Sequence, residues 1–501
     1  MSEPYKKISH GVIPTLDRLV QVQAAVRKLN DRVDLPFSFA ITSGETRFAY
    51  LFPELQTPGA LLPEVPEMRA RLIRLGDSMI EISAASANSS IPSAYTYLGQ
   101  FVDHDITFEA KSDGMVKLSD PDFRVLTPEE ISANITNGRT PGLDLDNVYY
   151  KPAPRNCSRM VLGFVSDGNL NVLRRANDLP RKPRSRRPED DRAALIGDKR
   201  DDENLIIAQL HVAFLRAHNA IAVRGRTFQE ARRILRRHYQ WIVLKDFLPR
   251  ICDPWVVSEI VFGGNKVFRP DPDDLFMPFE FSVAAYRFGH SLVRGTYQYN
   301  STFPRAKLTD LFTLTALSGT LGGAPTLPES WIIDWKNFVD GGANRARAID
   351  TSLSRALFDL TEFSKPMPVE ARLPVRNLLR GYMLRVPTGQ AVASALGLKV
   401  LSAEDIEAVA RSASTAQLRA VQDGGFSQRT PLWYYILAEA SAGSTGRLGP
   451  VGSTIVAEVL IGLIRGSKDS ILREPAWKPT LGGTPGLFRL RDLLKLGDVL
   501  N

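Results

Sequence analysis

Apolar residues recur at helical spacing over several long stretches of this chain. Between Leu205 and Ala222, the residues Leu205, Ala208, Gln209, Val212, Leu215, His218 and Asn219 fall three or four apart, so one helical face carries them all. The stretch from Phe228 to Leu248 has no proline and few β-branched residues, and predicts a second long helix. Thr454 to Ile464 predicts a third. Alternating apolar and polar runs are scarce, and no internal repeat is visible. The pattern predicts a mainly α fold, one large helical domain with little β, whose long loops carry many of the 33 prolines and 36 glycines.

One segment breaks the pattern. Residues 174–192 hold eight basic and four acidic residues and three prolines, Pro180, Pro183 and Pro188. So little apolar surface predicts an exposed loop. No aromatics interleave the charges, so nucleic acid is not the expected partner.

Composition narrows the class. Of 501 residues, 44% are hydrophobic and 24% charged, ordinary for a globular protein with a large core. A net charge of +8 is only a weak pointer to an anionic partner. Two cysteines, Cys157 and Cys252, exclude a disulfide scaffold and a four-cysteine zinc site. The N-terminal residues lack the apolar stretch of a secretory signal, so cytoplasmic residence or non-classical export is expected. The apolar run Ile455–Ile464 is interrupted by Glu458 and is too short to cross a bilayer, so no membrane span is expected.

Six histidines make each one easy to weigh. In the stretch from Tyr97 to Glu109, a helix puts Gln100 and His104 on one face with Asp103 beside them. Asp103-His104-Asp105 is costly to bury unless paired or bound, although an exposed loop accounts for it equally well. Arg287 and His290 share a helical face, and Gly289 between them lets a flat group approach; a core histidine is the plainer reading. The run Gly197 to Glu203 places Arg200 and Glu203 three apart in the first turn of the Leu205 helix, where acidic residues suit the helix dipole anyway.

The order of these pieces is more specific than any one of them. Gln-X-X-Asp-His-Asp at 100–105 precedes Arg-X-X-Glu at 200–203 and a Leu-Arg-X-His-Asn helix, then Arg-Phe-Gly-His at 287–290. Downstream come Arg376-Asn-Leu-Leu-Arg-Gly381 and Leu448-Gly-Pro-Val-Gly452 before an apolar helix. This sequence of motifs, from about Gly99 to about Gly466, resembles the animal-type haem peroxidases of the peroxidase-cyclooxygenase superfamily, most closely their bacterial branch. The resemblance implies a catalytic domain over 81–470, an N-terminal extension 1–80 packed on it, and a C-terminal tail 471–501.

It also implies roles. His104 matches the distal histidine, the general base for hydrogen peroxide. Arg200 matches the distal arginine, which stabilises charge as the O–O bond breaks, and Gln100 the glutamine that holds water and ligands there. His290 matches the proximal iron ligand, and Asn377 the side chain accepting its other N–H, which favours a high-valent iron-oxo state. Arg287 and Arg380 match arginines that offset the haem propionates. Asp103 and Glu203 match carboxylates ester-linked to haem methyls in many members; noncovalent haem b is the alternative. Asn204 stands where some mammalian members carry a methionine bonded to the haem, so bromide, iodide, thiocyanate or phenols are expected as reductants rather than chloride.

The run Thr140 to Asp146 offers oxygen donors at alternate positions: the Thr140 hydroxyl, the Gly142 carbonyl, and the carboxylates of Asp144 and Asp146. Calcium needs a further ligand, and Asp105 matches the family's; a sodium site or a plain Asp-rich turn are the alternatives. A peroxidase answering oxidative stress is the reading. The lipid oxygenases of the superfamily are the competing one, disfavoured because their tyrosine position holds Arg287, while Tyr286 turns about 100° away on an α-helix. A non-catalytic haem- or calcium-binding adhesion protein is a third reading.

Overall fold

The computed structural model describes residues 5–8, 11–14, 46–82, 88–109, 118–120, 123–150, 153, 155–187, 189–223, 225–360, 369–443 and 445–500. Helix makes up about 50% and strand about 11%. The helices that position the site are α1 (Met68–Ser78), α2 (Ala94–Ile106), α3 (Leu205–Ala222), α4 (Phe228–Ile242), α5 (Leu373–Met383), α6 (Leu432–Gly443), α7 (Pro450–Gly466) and α8 (Leu490–Leu496). The three helices expected from periodicity are α3, α4 and α7. A π-turn, Val243–Phe247, and a short helix, Leu248–Ile251, prolong α4.

Local chemistry sets the helix ends. At α4 the Thr227 hydroxyl accepts from the Glu230 backbone N–H at 3.3 Å, and the Glu230 carboxylate accepts from that of Thr227 at 2.7 Å, a reciprocal capping box. Pro450 opens α7, where a missing N–H costs nothing.

The core forms where α2, α3 and α4 meet. Phe101 of α2 stacks on Phe214 of α3 at 4.3 Å between centroids, and Tyr239 of α4 meets both rings edge-on at 6.2 and 5.8 Å. Helix α1 lies against α5 so closely that a Cβ on Gly76 would sit 2.8 Å from the Val375 Cα. One continuous hydrophobic cluster runs from Phe52 to Leu500, and α8 packs on α3. Segments on both sides of residues 81–470 therefore contribute to the same core. Strand Thr46–Ala49 pairs with Phe276–Pro278 on one side and Thr136–Asn137 on the other. Residues 15–45 lie outside the described ones.

The reading of 174–192 as an exposed loop holds for residues 183–187 and Glu189, and the structure corrects it at the two ends. Val172–Asp178 is a strand paired with Gly163–Ser166. The Arg181 side chain is only 4% exposed, because two carboxylates, Asp178 at 2.9 Å and Asp202 at 2.7 Å, neutralise it. Charge run and exposure part company here because one opposite charge comes from within the run and the other, Asp202, from the turn ahead of α3. Among the described residues one helix, α3, is long and apolar enough to span a bilayer, and 83% of its apolar window is buried inside the protein.

The α6–α7 junction carries a testable consequence. The buried Glu439 carboxylate of α6 accepts from the backbone N–H groups of Val451 at 2.9 Å and Gly452 at 3.2 Å, the open donors at the start of α7. Gly449 is required: a Cβ there would lie 2.3 Å from the Glu439 Cγ. Burial pushes the Glu439 pKa up from 4.5 to about 7. The folded protein thus holds this proton more tightly than the unfolded chain. The stability it contributes is full below pH 4.5 and is lost as pH rises through about 7, by at most about 3 kcal/mol. Glu439→Gln should flatten the fall in stability between pH 5 and 8 in urea denaturation; an unchanged slope would contradict the assignment.

Candidate active site

A cavity of about 1020 Å³ opens between α2, the segment ahead of α3, and the segments carrying His290 and Arg376. Gln100, Asp103, His104, Arg200, Glu203, Arg287, His290 and Arg380 all line it. Helix α2 brings the first three to one face at spacings of three and four. His104 is buried, and its Nδ1 lies 2.7 Å from Asp201 Oδ1, leaving Nε2 as the available ring nitrogen. Burial and the Arg200 charge pull the His104 pKa down, but Asp201 and Asp198 more than offset them and leave it raised.

Arg200 and Glu203 are not in the first turn of α3. Lys199–Asp202 is a 3-10 turn whose Arg200 N–H is capped by Asp198 at 2.9 Å. The helix starts only after Asn204, whose side chain accepts from the Ile207 N–H at 3.0 Å. The acids here do not serve the dipole. Asp198 accepts from Arg200 Nη2 at 2.7 Å and from Arg139 Nη2 at 2.7 Å; Asp202 accepts from Arg181 and from the Ala316 N–H at 3.0 Å. Burial opposes the Arg200 charge, yet Asp198 raises its pKa further, so the guanidinium is a fixed cation. Its Nη1 stands 3.9 Å from Asp103 Oδ2, and its Nη2 donates to the Thr107 carbonyl. Gln100 donates to the Glu203 carboxylate and accepts from Asn204 Nδ2 at 3.3 Å. Burial raises the Glu203 pKa, against His104, Arg200 and Arg376.

On the other side, a π-turn (Glu280–Ala284) runs into a 3-10 helix (Ala285–Leu292). In a 3-10 helix residues three apart eclipse, so Arg287 and His290 share one face. Burial, then Arg287 and Arg376, hold the His290 pKa well below its ordinary value, so the ring is neutral. Arg287 is itself pushed down to about 10 by burial and by the Arg376 charge. Arg380, one helical turn after Arg376 on α5, pairs with Glu109. Arg287 and Arg376 thus act on His290, and Arg380, paired with Glu109, lines the same cavity.

Two expectations need correction on this side. Asn377 reaches His290 as expected, but its Nδ2 donates to His290 Nδ1 at 2.8 Å while its Oδ1 accepts from Arg287 Nη1 at 2.6 Å. The sense is reversed because Arg287 claims the amide oxygen. An iron-binding Nε2 needs its proton on Nδ1, hence a half-turn of this amide with Arg287 released. Tyr286, expected to point away, lines the cavity, and its buried hydroxyl has no partner among the described residues.

The Asp loop is assembled in part. Asp105 Oδ1 accepts from the Asp146 N–H at 2.6 Å, and Asp105 Oδ2 is buried without a partner among the described residues. Asp146 accepts from the Thr140 N–H at 3.1 Å, and burial with Asp144 pushes its pKa up to about 7. Burial, Asp146 and Asp144 raise that of Asp105 well above the carboxylate range. The expected convergence of all five ligands is not formed. Asp144 turns to Ser467 Oγ at 3.2 Å and Arg236 Nε at 3.6 Å, and the Thr140 hydroxyl to Tyr150 at 3.2 Å. Gly142 makes only a tight turn, its N–H donating to the Thr140 carbonyl at 2.7 Å. Among the described residues no group of three His, Cys, Asp or Glu side chains is arranged to hold a metal. Asp146 and Asp144 repel the Asp105 carboxylate, Asp144 repels that of Asp146, and Arg236 draws Asp144 off. Leu143 and Leu145, both fully buried, take left-handed φ of 51° and 60° on either side of it.

The family model of the animal haem peroxidases matches residues 119–467. The chain belongs to the animal haem peroxidase family. It is 36% identical over 123 residues to a peroxidase-like protein of Margaritifera margaritifera, a stretch covering 22% of this chain and 16% of that one. The chain spans about a sixth of the length of the first curated relatives it matches. Peroxidase A of Dictyostelium discoideum superposes with a TM-score of 0.59 at 16% identity, over 88% of this chain and 90% of that one. A fatty acid alpha-dioxygenase of Arabidopsis thaliana gives 0.56 at 11%, over 81% and 71%. Both likenesses concern the fold alone.

The residues present fit the family's haem. A neutral His290, the arginines Arg287, Arg376 and Arg380 in the same cavity, and apolar walls from Phe247, Phe288 and Phe312 suit an apolar macrocycle with an anionic edge. A Cβ on Gly289 would meet nothing within 4 Å, so the cavity stays open there. Sequence reading missed Asp198, Arg139, Asp201, His211 and Arg376. Four acids within Gly197–Glu203 were the available signal, since buried acids require partners. Arg376, at i,i+4 from Arg380, was the other.

Proposed function

We propose that this peroxidase-family chain reduces hydrogen peroxide with electrons from a small donor. The observation that carries the reading is the shared cavity of His104, Arg200 and His290, with His104 Nδ1 tied to a carboxylate and Arg200 held as a cation. His290 Nε2 would hold the iron, and Arg287, Arg376 and Arg380 would face the propionates. Bound there, haem would supply a metal site for peroxide and the two electrons that reduce it, which the small donor would then replace. His104 Nε2 takes the proton from one peroxide oxygen and hands it to the other, which leaves as water. Arg200 offsets the negative charge on the departing oxygen. Asp103 and Glu203 both line the cavity, and we favour ester links from them to the haem; haem that resists acid–acetone extraction from wild type but not from an Asp103→Ala, Glu203→Ala double variant is the test.

For the donor we favour bromide, iodide, thiocyanate or a phenol. Initial rates with each at fixed peroxide check this; turnover with none of them would overturn it. A dioxygenase reading is favoured by one feature, the Tyr286 hydroxyl in the cavity wall. Oxygen uptake with a fatty acid, abolished in Tyr286→Phe, would promote it. For the cation we favour calcium at Asp105, Asp146 and Asp144, because the buried Asp105 Oδ2 has no partner among the described residues and Asp146 and Asp144 both crowd that carboxylate with like charge. About one calcium per chain by elemental analysis, lost in Asp146→Ala, is the expected result.

A further inference from the structure

Behind His104 lies an arrangement that the peroxidase reading does not require. Asp201 is fully buried in the 3-10 turn ahead of α3. One of its oxygens, Oδ1, is 2.7 Å from His104 Nδ1; the other, Oδ2, is 2.7 Å from His211 Nδ1 and 3.0 Å from Asn147 Nδ2. We propose that Asp201 is the positioning residue of the peroxide-side histidine. Its carboxylate, clamped by His211 and Asn147, keeps a proton on His104 Nδ1 and so presents Nε2 to the cavity.

The geometry leaves few choices. An ionised carboxylate only accepts hydrogen bonds, so each of the three neighbours must present a hydrogen to it. Burial works against ionisation of Asp201, but the bonds from His104 and His211 outweigh it and hold the acid ionised. The opposite His104 tautomer would set the Nδ1 lone pair against a carboxylate oxygen at 2.7 Å, and would turn an N–H toward peroxide where an acceptor is needed. His211 is buried on α3, its ring edge toward Phe101 at 6.1 Å. Its Nε2 has no partner among the described residues, so Asp201 is its one recorded hydrogen bond. Asn147 reaches the same carboxylate from the residue after Asp146, which joins the clamp to the Asp loop. The carboxylate is therefore fixed from two directions before His104 meets it, as an orienting acid must be.

The consequence for catalysis rests on the peroxidase reading; the tautomer does not. The test uses the full chain, haem-loaded, labelled with ¹⁵N-histidine and held as the diamagnetic ferrous carbon monoxide complex. Wild type should show His104 Nδ1 protonated, and Asp201→Ala should lose that preference. With hydrogen peroxide, Asp201→Ala should react about 10²-fold more slowly while the KM for the donor is unchanged, a split that a merely structural role does not produce. Asp201→Asn, whose amide oxygen still accepts from Nδ1, should recover about tenfold of that loss. A wild-type His104 protonated on Nε2 alone, or an Asp201→Ala rate within about twofold of wild type, overturns the proposal. If Asp201→Ala does not take up haem, the wild-type nitrogen spectrum and the Asp201→Asn rate decide it. A wild type inert to peroxide but protonated on Nδ1 would count against the peroxidase reading and leave the positioning role standing.

Discussion

His104→Ala is expected to slow the reaction of the haem-loaded protein with hydrogen peroxide by about 10²–10⁴-fold while the haem stays bound. The loss corresponds to about 3–5 kcal/mol of barrier. It follows from position and chemistry together. Arg200 is tied to Asp198 and remains cationic, so it cannot take a proton. Glu203 is engaged by Gln100. Among the groups on that side of the cavity, His104 alone combines a free ring nitrogen with a partner, Asp201, that holds the other. Stopped-flow absorption at several peroxide concentrations checks the rate, and the Soret band checks retention. A rate within about threefold of wild type would remove His104 from the mechanism.

The second large effect is expected at His290. Its neutral imidazole, flanked by Arg287 and Arg376, suits metal ligation once the Asn377 amide turns to accept from Nδ1. His290→Ala should weaken haem binding by more than about 10²-fold, since the loss of an outer-shell partner alone costs 10–100-fold at such sites. Added free imidazole should restore much of the Soret absorbance by filling the vacated space. Haem titration followed spectroscopically measures both. Unchanged affinity and an unchanged spectrum would mean that another side chain holds the iron.

The long helices were legible because α3, α4 and α7 bury apolar residues at helical spacing, a pattern that survives without tertiary context. His104 and His290 were legible through the order of several motifs, which resembles that of the animal-type haem peroxidases; each motif alone left a plainer reading open. What the sequence hides is pairing across distance. Arg181 looked like one charge in a solvated run, yet Asp202 lies 21 residues away and neutralises it. Asp201 looked like a helix-dipole acid, yet it bridges two imidazoles from α2 and α3. Arg200 and Glu203 were misplaced in the first turn of α3 because they fit helical spacing as well as they fit a 3-10 turn; Asn204, a strong cap residue, marked the boundary ahead of Leu205. Tyr286 was placed by α-helical geometry, and the chain there winds from π to 3-10. Asp144 showed the converse: correct ligand spacing in sequence, with Arg236 competing for the carboxylate in space.

The measurement that bears most directly on the central claim is the absorption spectrum of the purified, haem-supplemented chain before and after hydrogen peroxide, with bromide or a phenol then added. The account predicts a ferric Soret band that peroxide converts to an oxidised species and that returns as the donor is consumed. A folded, helical protein that shows no Soret band, or one whose band does not respond to peroxide, would contradict it.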